Sequence, residues 1–108
     1  MNSQNTRDLP IACDPAAIAA EAREIHLSAA EQLLRHVAIE VQELADGLAF
    51  RYAAEHYGQV TQFIANERLC CPFFTFTLEV TPAHGPIWLH ITGGVDVKEF
   101  LKSELTAP

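Results

Sequence analysis

The sequence is short of positive charge. Seven Lys and Arg stand against fourteen Asp and Glu in 108 residues, a formal charge of −7 at pH 7. The few cations are scattered, which argues against nucleic acid as a partner, because a phosphate backbone is held by a clustered basic face that releases its counterions. No apolar stretch approaches the roughly 20 residues of a membrane span. The opening Met1-Asn2-Ser3-Gln4-Asn5-Thr6-Arg7 has no apolar core of a signal peptide. The expectation is a cytoplasmic protein with no membrane partner. Cysteine is scarce and odd in number, three in all. That fits free thiols in a reducing environment better than a secreted disulfide framework.

What is present is a core. Hydrophobic residues make up 49% and charged residues 19%, a balance that favours packing over disorder. One domain is expected over residues 13–105, after a loose polar lead over 1–12. A chain of this size buries roughly two-thirds of its unfolded surface, so no metal is required for folding.

Asp14-Pro15 reads as a helix start, an acid at the N-cap and proline at the first helical position. The Ala-rich segment to about Arg35 puts Ile18, Ala22, Ile25, Ala29 and Leu33 at helical spacing, as one helix or as a short turn and a longer helix. The period then becomes two. Val37, Ile39 and Val41 read as a half-buried strand, Asp46-Gly47 as a turn, and Leu48, Phe50 and Tyr52 as one face of a second strand. Val60, Phe63 and Ile64 mark an amphipathic helix over about 55–68. Pro72 ends it, because proline cannot continue the hydrogen-bond ladder.

Phe74, Phe76, Leu78 and Val80 alternate with polar residues as a third strand. A four-residue loop, Pro82-Ala83-His84-Gly85, pairs it with Ile87, Leu89 and Ile91. That register sets Val80 opposite Ile87 and Leu78 opposite Leu89, with His90 near Thr77 and Trp88 near Glu79. Asp96 is placed to cap a last helix whose Val97, Phe100 and Leu101 cover the sheet. The fold class is α+β: a four-stranded, mostly antiparallel sheet with helices on one face, in the order α-β-β-α-β-β-α. The outer sheet face leaves room for a homodimer.

The chemistry-bearing residues are few. Cys70 and Cys71 stand where a helix ends and a strand begins, and the loop Gly93-Gly94 falls at the same end of the sheet. The helix start after that loop would face the thiols with its unpaired N–H groups, and Arg68 would add positive charge. The preceding helix C-terminus and Glu67 oppose this, so moderate activation of a thiol is the most expected. Thiolates suit soft metals such as Zn(II), Cu(I) or Hg. Cys13, brought over the sheet end, would make a third sulfur, and an added His would suit tetrahedral zinc. His26, His36, His56 and His84 read as surface residues, and His90 as a cross-strand partner of Thr77. Nothing has the glycine spacing of a nucleotide-binding loop, and no catalytic pair is evident.

The motifs Asn66-Glu67-Arg68-Leu69-Cys70-Cys71-Pro72-Phe73, Gly85-Pro86-Ile87-Trp88-Leu89, Thr92-Gly93 and Lys98-Glu99-Phe100-Leu101, with the early Ala12-Cys13, resemble one group of proteins. These are small uncharacterised bacterial proteins with a Glu-Arg-x-Cys-Cys-Pro-Phe centre and a Thr-Gly…Lys-Glu-Phe-Leu end. Some are associated with heavy-metal resistance or metal-responsive regulators. The chain departs from them after the last strand, where Gly93-Gly94-Val95-Asp96 replaces a Gly-Pro-x-Gly-like stretch.

Three functions remain. The first is a soft-metal site made by Cys70, Cys71 and Cys13, with Glu67, Arg68, Gly93 and Gly94 beside the ligands. The second is an interaction module in which the cysteines are packing. The third is a thiol redox sensor or enzyme in which Cys13 resolves Cys70 or Cys71.

Overall fold

The computed structural model describes residues 13–106, so the lead expected over 1–12 lies outside the described residues. Asp14 accepts a hydrogen bond from the Ala16 N–H and caps a single 3-10 turn, Pro15–Ala17. Helix α1 (Ala20–Gln32) follows and runs into a π-helical turn, Leu33–Val37. Strands β1 (Glu40–Leu44) and β2 (Gly47–Tyr52) form the first hairpin. A 3-10 turn at Ala54–His56 leads into α2 (Tyr57–Cys70). The second hairpin is β3 (Thr75–Val80) and β4 (Ile87–Thr92), and α3 (Val95–Thr106) closes the described chain. The α+β order α-β-β-α-β-β-α is the one expected.

The strands lie in the order β1-β2-β4-β3, and every neighbouring pair is antiparallel. The second hairpin has the register read from the sequence, with Val80 opposite Ile87, Leu78 opposite Leu89 and Thr77 opposite His90. One sheet face, carrying Leu48, Phe50, Tyr52, Leu89 and Ile91, joins Leu33, Val60, Phe63, Val97 and Leu101 from the helical segments in one core. The buried Tyr52 hydroxyl donates to the Leu33 carbonyl at 3.1 Å and ties β2 to the end of α1. Burial removes water from that phenol and raises its pKa.

Three local expectations are corrected. The alternation of Val37, Ile39 and Val41 does not make a half-buried strand. Val37 belongs to the π-helical turn, while Ile39 and Val41 are 58% and 44% exposed, because β1 is an edge strand with little over it. Of the expected stripe, Ile18 and Leu33 are buried and Ala22 packs on the core, but Ile25 is 72% exposed and α1 buries His26 in its stead. The imidazole can go inside because α2 supplies a carboxylate to meet it. Gly47 is not in the turn, which is made by Ala45 and Asp46.

Gly47 instead begins β2, paired with Leu44 on one side and Thr92 on the other. A Cβ there would overlap the Ile91 carbonyl oxygen and crowd the Thr92 Cα at 2.8 Å. Both obstacles are backbone, so neither can swing aside. Gly47→Ala is expected to destabilise the domain by the roughly 1–3 kcal/mol of an overpacked site, measured as a lowered denaturant midpoint. An unchanged midpoint would show that β2 and β4 can separate at little cost.

Candidate metal centre

Helix α2 presents Val60, Phe63, Glu67 and Cys70 at spacings of three and four, so all four lie along one side. Val60, Phe63 and Cys70 are buried, and Glu67 is half-buried between them. Across from them α1 turns in His26, 2% exposed, whose ring stacks on Phe63 with centroids 5.7 Å apart. His26 Nε2 lies 2.8 Å from Glu67 Oε1, and the Cys70 thiol donates to the same oxygen at 3.5 Å. The ligand atoms of His26, Glu67 and Cys70 all fall within 4.8 Å of one another. A nitrogen, an oxygen and a sulfur donor on two packed helices form a candidate metal-binding group.

The end of α2 fixes the rest of the site. The Cys71 N–H closes the helix on the Glu67 carbonyl at 2.8 Å, and the Cys70 carbonyl accepts from the Asp14 N–H at 2.7 Å. That second bond draws the chain's N-terminal segment over the helix end. Cys13 is thereby bonded to Cys71 in a disulfide, and Cys70, the free cysteine, has its sulfur 3.7 Å from that of Cys71. The three sulfurs do meet, as a thiol beside a disulfide where three free thiols were expected. Cys13 is exposed, while Cys70 and Cys71 are buried.

The environment suppresses the free thiol. Burial pushes Cys70 up to about 12, and the neighbouring Glu67 carboxylate adds to the rise by its charge and by its hydrogen bond. The moderate activation expected from Arg68 and the following helix start does not occur. Arg68 is exposed. The N–H groups of Gly93 and Gly94 both donate to the Asp46 carbonyl, at 3.0 and 3.2 Å. The loop packs on the segment that follows the cysteines: a Cβ on Gly93 would meet the Phe73 carbonyl at 3.0 Å. Its contribution is close packing.

Two cavities flank the group. One of about 470 Å³ has Cys13, Cys70, Cys71 and Glu67 in its wall, facing Leu34, Phe74 and Leu101. Phe100, Leu101, Glu104 and Leu105, from the second half of α3, contribute to this wall. The other, of about 410 Å³, runs between α1 and α2 and includes His26 and Phe63. The larger cavity reaches Glu67 and Cys70, and the smaller one reaches His26. Comparison with protein-family models, curated proteins and solved structures finds no match for the chain.

His26 is the residue that sequence reasoning missed. A lone histidine on this helix reads as a surface residue, yet His26 sits at helical spacing with Ala22, Ala30 and Leu33, a stripe as regular as the one through Ile25. A histidine on one apolar stripe and a glutamate on another are the legible trace of this pair.

The raised thiol pKa has a measurable consequence. In metal-free protein the alkylation rate of Cys70 is expected to stay low through pH 8 and 9 and climb only towards pH 12, because the thiolate is the reactive form. The sign for stability follows. With the folded pKa above that of an unfolded cysteine, the stabilisation is complete below about pH 9 and is lost as pH rises through about 12. Fast, plateaued alkylation by pH 8 would show an activated thiol instead.

Proposed function

We propose that this protein binds a thiophilic divalent metal ion, zinc in class, through Cys70, His26 and Glu67. The observation that carries the reading is the burial of His26 with its Nε2 against a carboxylate that also receives the Cys70 thiol. Mixed sulfur, nitrogen and oxygen donors suit zinc better than Cu(I) or Hg(II), which favour sulfur alone. One separation, sulfur to oxygen, is close to what zinc needs, while His26 Nε2 and Glu67 Oε1, at 2.8 Å, must open to roughly 3.4 Å. Ligands at about 2.3 Å for sulfur and about 2.1 Å for oxygen lie roughly 3.6 Å apart on a tetrahedral ion. The sulfur and oxygen here are 3.5 Å apart before any ion enters. The resemblance to small bacterial proteins linked with heavy-metal resistance points the same way.

The pair needs some rearrangement to bind. His26 Nδ1 is buried with no hydrogen-bond partner among the described residues. With a proton on Nε2 the ring donates to Glu67. Coordination through Nε2 gives up the hydrogen bond to Glu67 and moves the proton to Nδ1, which then lacks an acceptor where it now lacks a donor. An ion must therefore gain more from the thiolate and carboxylate than the lost hydrogen bond takes away.

The competing reading, cysteines as core packing, also makes Cys70 slow to alkylate, so a metal titration separates the two. Reduced protein titrated with Zn²⁺ or Cd²⁺ against a competing chelator is expected to bind one ion. Cys70→Ala and His26→Gln should each weaken binding at least tenfold, at or beyond the 10- to 100-fold lost when only a ligand's supporting partner is removed. Circular dichroism would check that each variant is folded. Folded wild-type protein that takes up neither ion would defeat the reading and leave packing as the role of the cysteines.

A further inference from the structure

Cys71 is bonded to Cys13, yet its sulfur lies 3.7 Å from that of Cys70. Two thiolates at about 2.3 Å on one tetrahedral ion are separated by roughly 3.8 Å. The sulfur engaged in the disulfide is thus already spaced from Cys70 as a second thiolate ligand would be. The other half of the disulfide differs in kind. Cys13 is exposed, lines the larger cavity and precedes the turn capped by Asp14.

We propose that the Cys13–Cys71 disulfide is a redox gate on the metal group: its reduction frees Cys71 to complete a four-donor set with Cys70, His26 and Glu67. This rests on the metal-binding reading above and adds to it a regulator and its chemical class, a small thiol. The thiolate of that reductant attacks the exposed Cys13 sulfur and forms a mixed disulfide. The Cys13–Cys71 bond breaks, and its electron pair leaves on Cys71 as a thiolate beside Cys70. A second reductant thiolate attacks the outer sulfur of the mixed disulfide, releasing Cys13 as a thiolate and the reductant as its own disulfide. Two electrons pass from two thiols to the protein disulfide, and the protons are exchanged with water.

The direction of attack follows from access. Cys71 and Cys70 are 2% and 3% exposed, so an incoming thiol reaches Cys13 first. The cavity beside it, with Leu34, Phe74 and Leu101 in its wall, accommodates a reductant with a small apolar body. In the oxidised state only three donors are available to hold an ion. In the reduced state a second thiolate joins at the right distance. Linkage makes the effect reciprocal: an ion that prefers the reduced form makes the disulfide easier to reduce.

The test uses the full chain in two forms, oxidised with one free thiol and reduced with three, each titrated anaerobically with Cd²⁺. Affinity is read by chelator competition and thiolate number by sulfur-to-cadmium charge-transfer absorption. The reduced form should bind roughly 5- to 150-fold more tightly, the usual span of coupling between two sites. It should also show about twice the charge-transfer intensity. Cys13→Ser, a change at an exposed position, should bind like the reduced form under either condition. Saturating Cd²⁺ should raise the disulfide's midpoint potential by about 30 mV for each tenfold of coupling.

Equal affinity and equal intensity in the two forms would overturn the gate and leave the metal site standing. Cys13→Ser protein that binds like the oxidised form would overturn it too, by making Cys13 the added ligand. Binding of Cd²⁺ to neither form would defeat the metal reading, and the gate with it.

Discussion

The architecture turns on a polar pair placed where an apolar contact would be the simpler choice. His26 and Glu67 occupy core-facing positions on α1 and α2, and each is tolerable there because the other is present. A buried polar group without a partner is costly, so the two helices are held to the orientation that brings ring and carboxylate together. The stacking of His26 on Phe63 sets the tilt of the ring. From Phe63 the aromatic contacts continue through Phe76 and Phe74 to Phe73 and Phe100. The group is thereby connected through packed rings to the helix that follows the sheet. Replacing the pair by two leucines would satisfy the core as well, and would remove every reason for a charge to be there.

Glu67 serves three neighbours at once, two through its carboxylate and one through its backbone carbonyl. Glu67 Oε1 meets His26 and the Cys70 thiol, while the Glu67 carbonyl caps the helix on the Cys71 N–H. The shape of the α2 terminus and the chemistry of the site are consequently the same structural fact. Pro72 makes this terminus abrupt, and the Asp14 N–H takes up the Cys70 carbonyl that the broken helix leaves without an internal donor.

Much of the fold was legible because its signals are local. The alternation Phe74, Phe76, Leu78 and Val80 and the loop Pro82-Ala83-His84-Gly85 set the second hairpin to the residue. The first hairpin was harder to read because its edge strand buries little, and Gly47 answers to a strand distant in sequence. At the site, the cysteines and Glu67 stood out by type and by the break after them. His26 did not, since helical spacing alone allows a stripe through Ile25 or one beside it. The choice between them is made by Glu67, forty-one residues away, and such a partner has no trace in a local window. The Cys13–Cys71 bond is of the same kind, fixed by where Asp14 docks.

That bond also divides the chain topologically. Residues 13–71 become a closed ring holding α1, α2 and the first hairpin, while the second hairpin and α3 hang from it as a tail. In the sheet, ring and tail meet along one seam, β2 against β4. Closing a ring of this size removes about 4 kcal/mol of denatured-state entropy on the chain-entropy account. None of that restraint extends along the tail. The tail is held to the ring by the β2–β4 ladder, by the Gly93 and Gly94 bonds to Asp46 and by Val97 and Leu101 in the shared core. It therefore leaves only by opening the core, and the oxidised ring stays closed behind it.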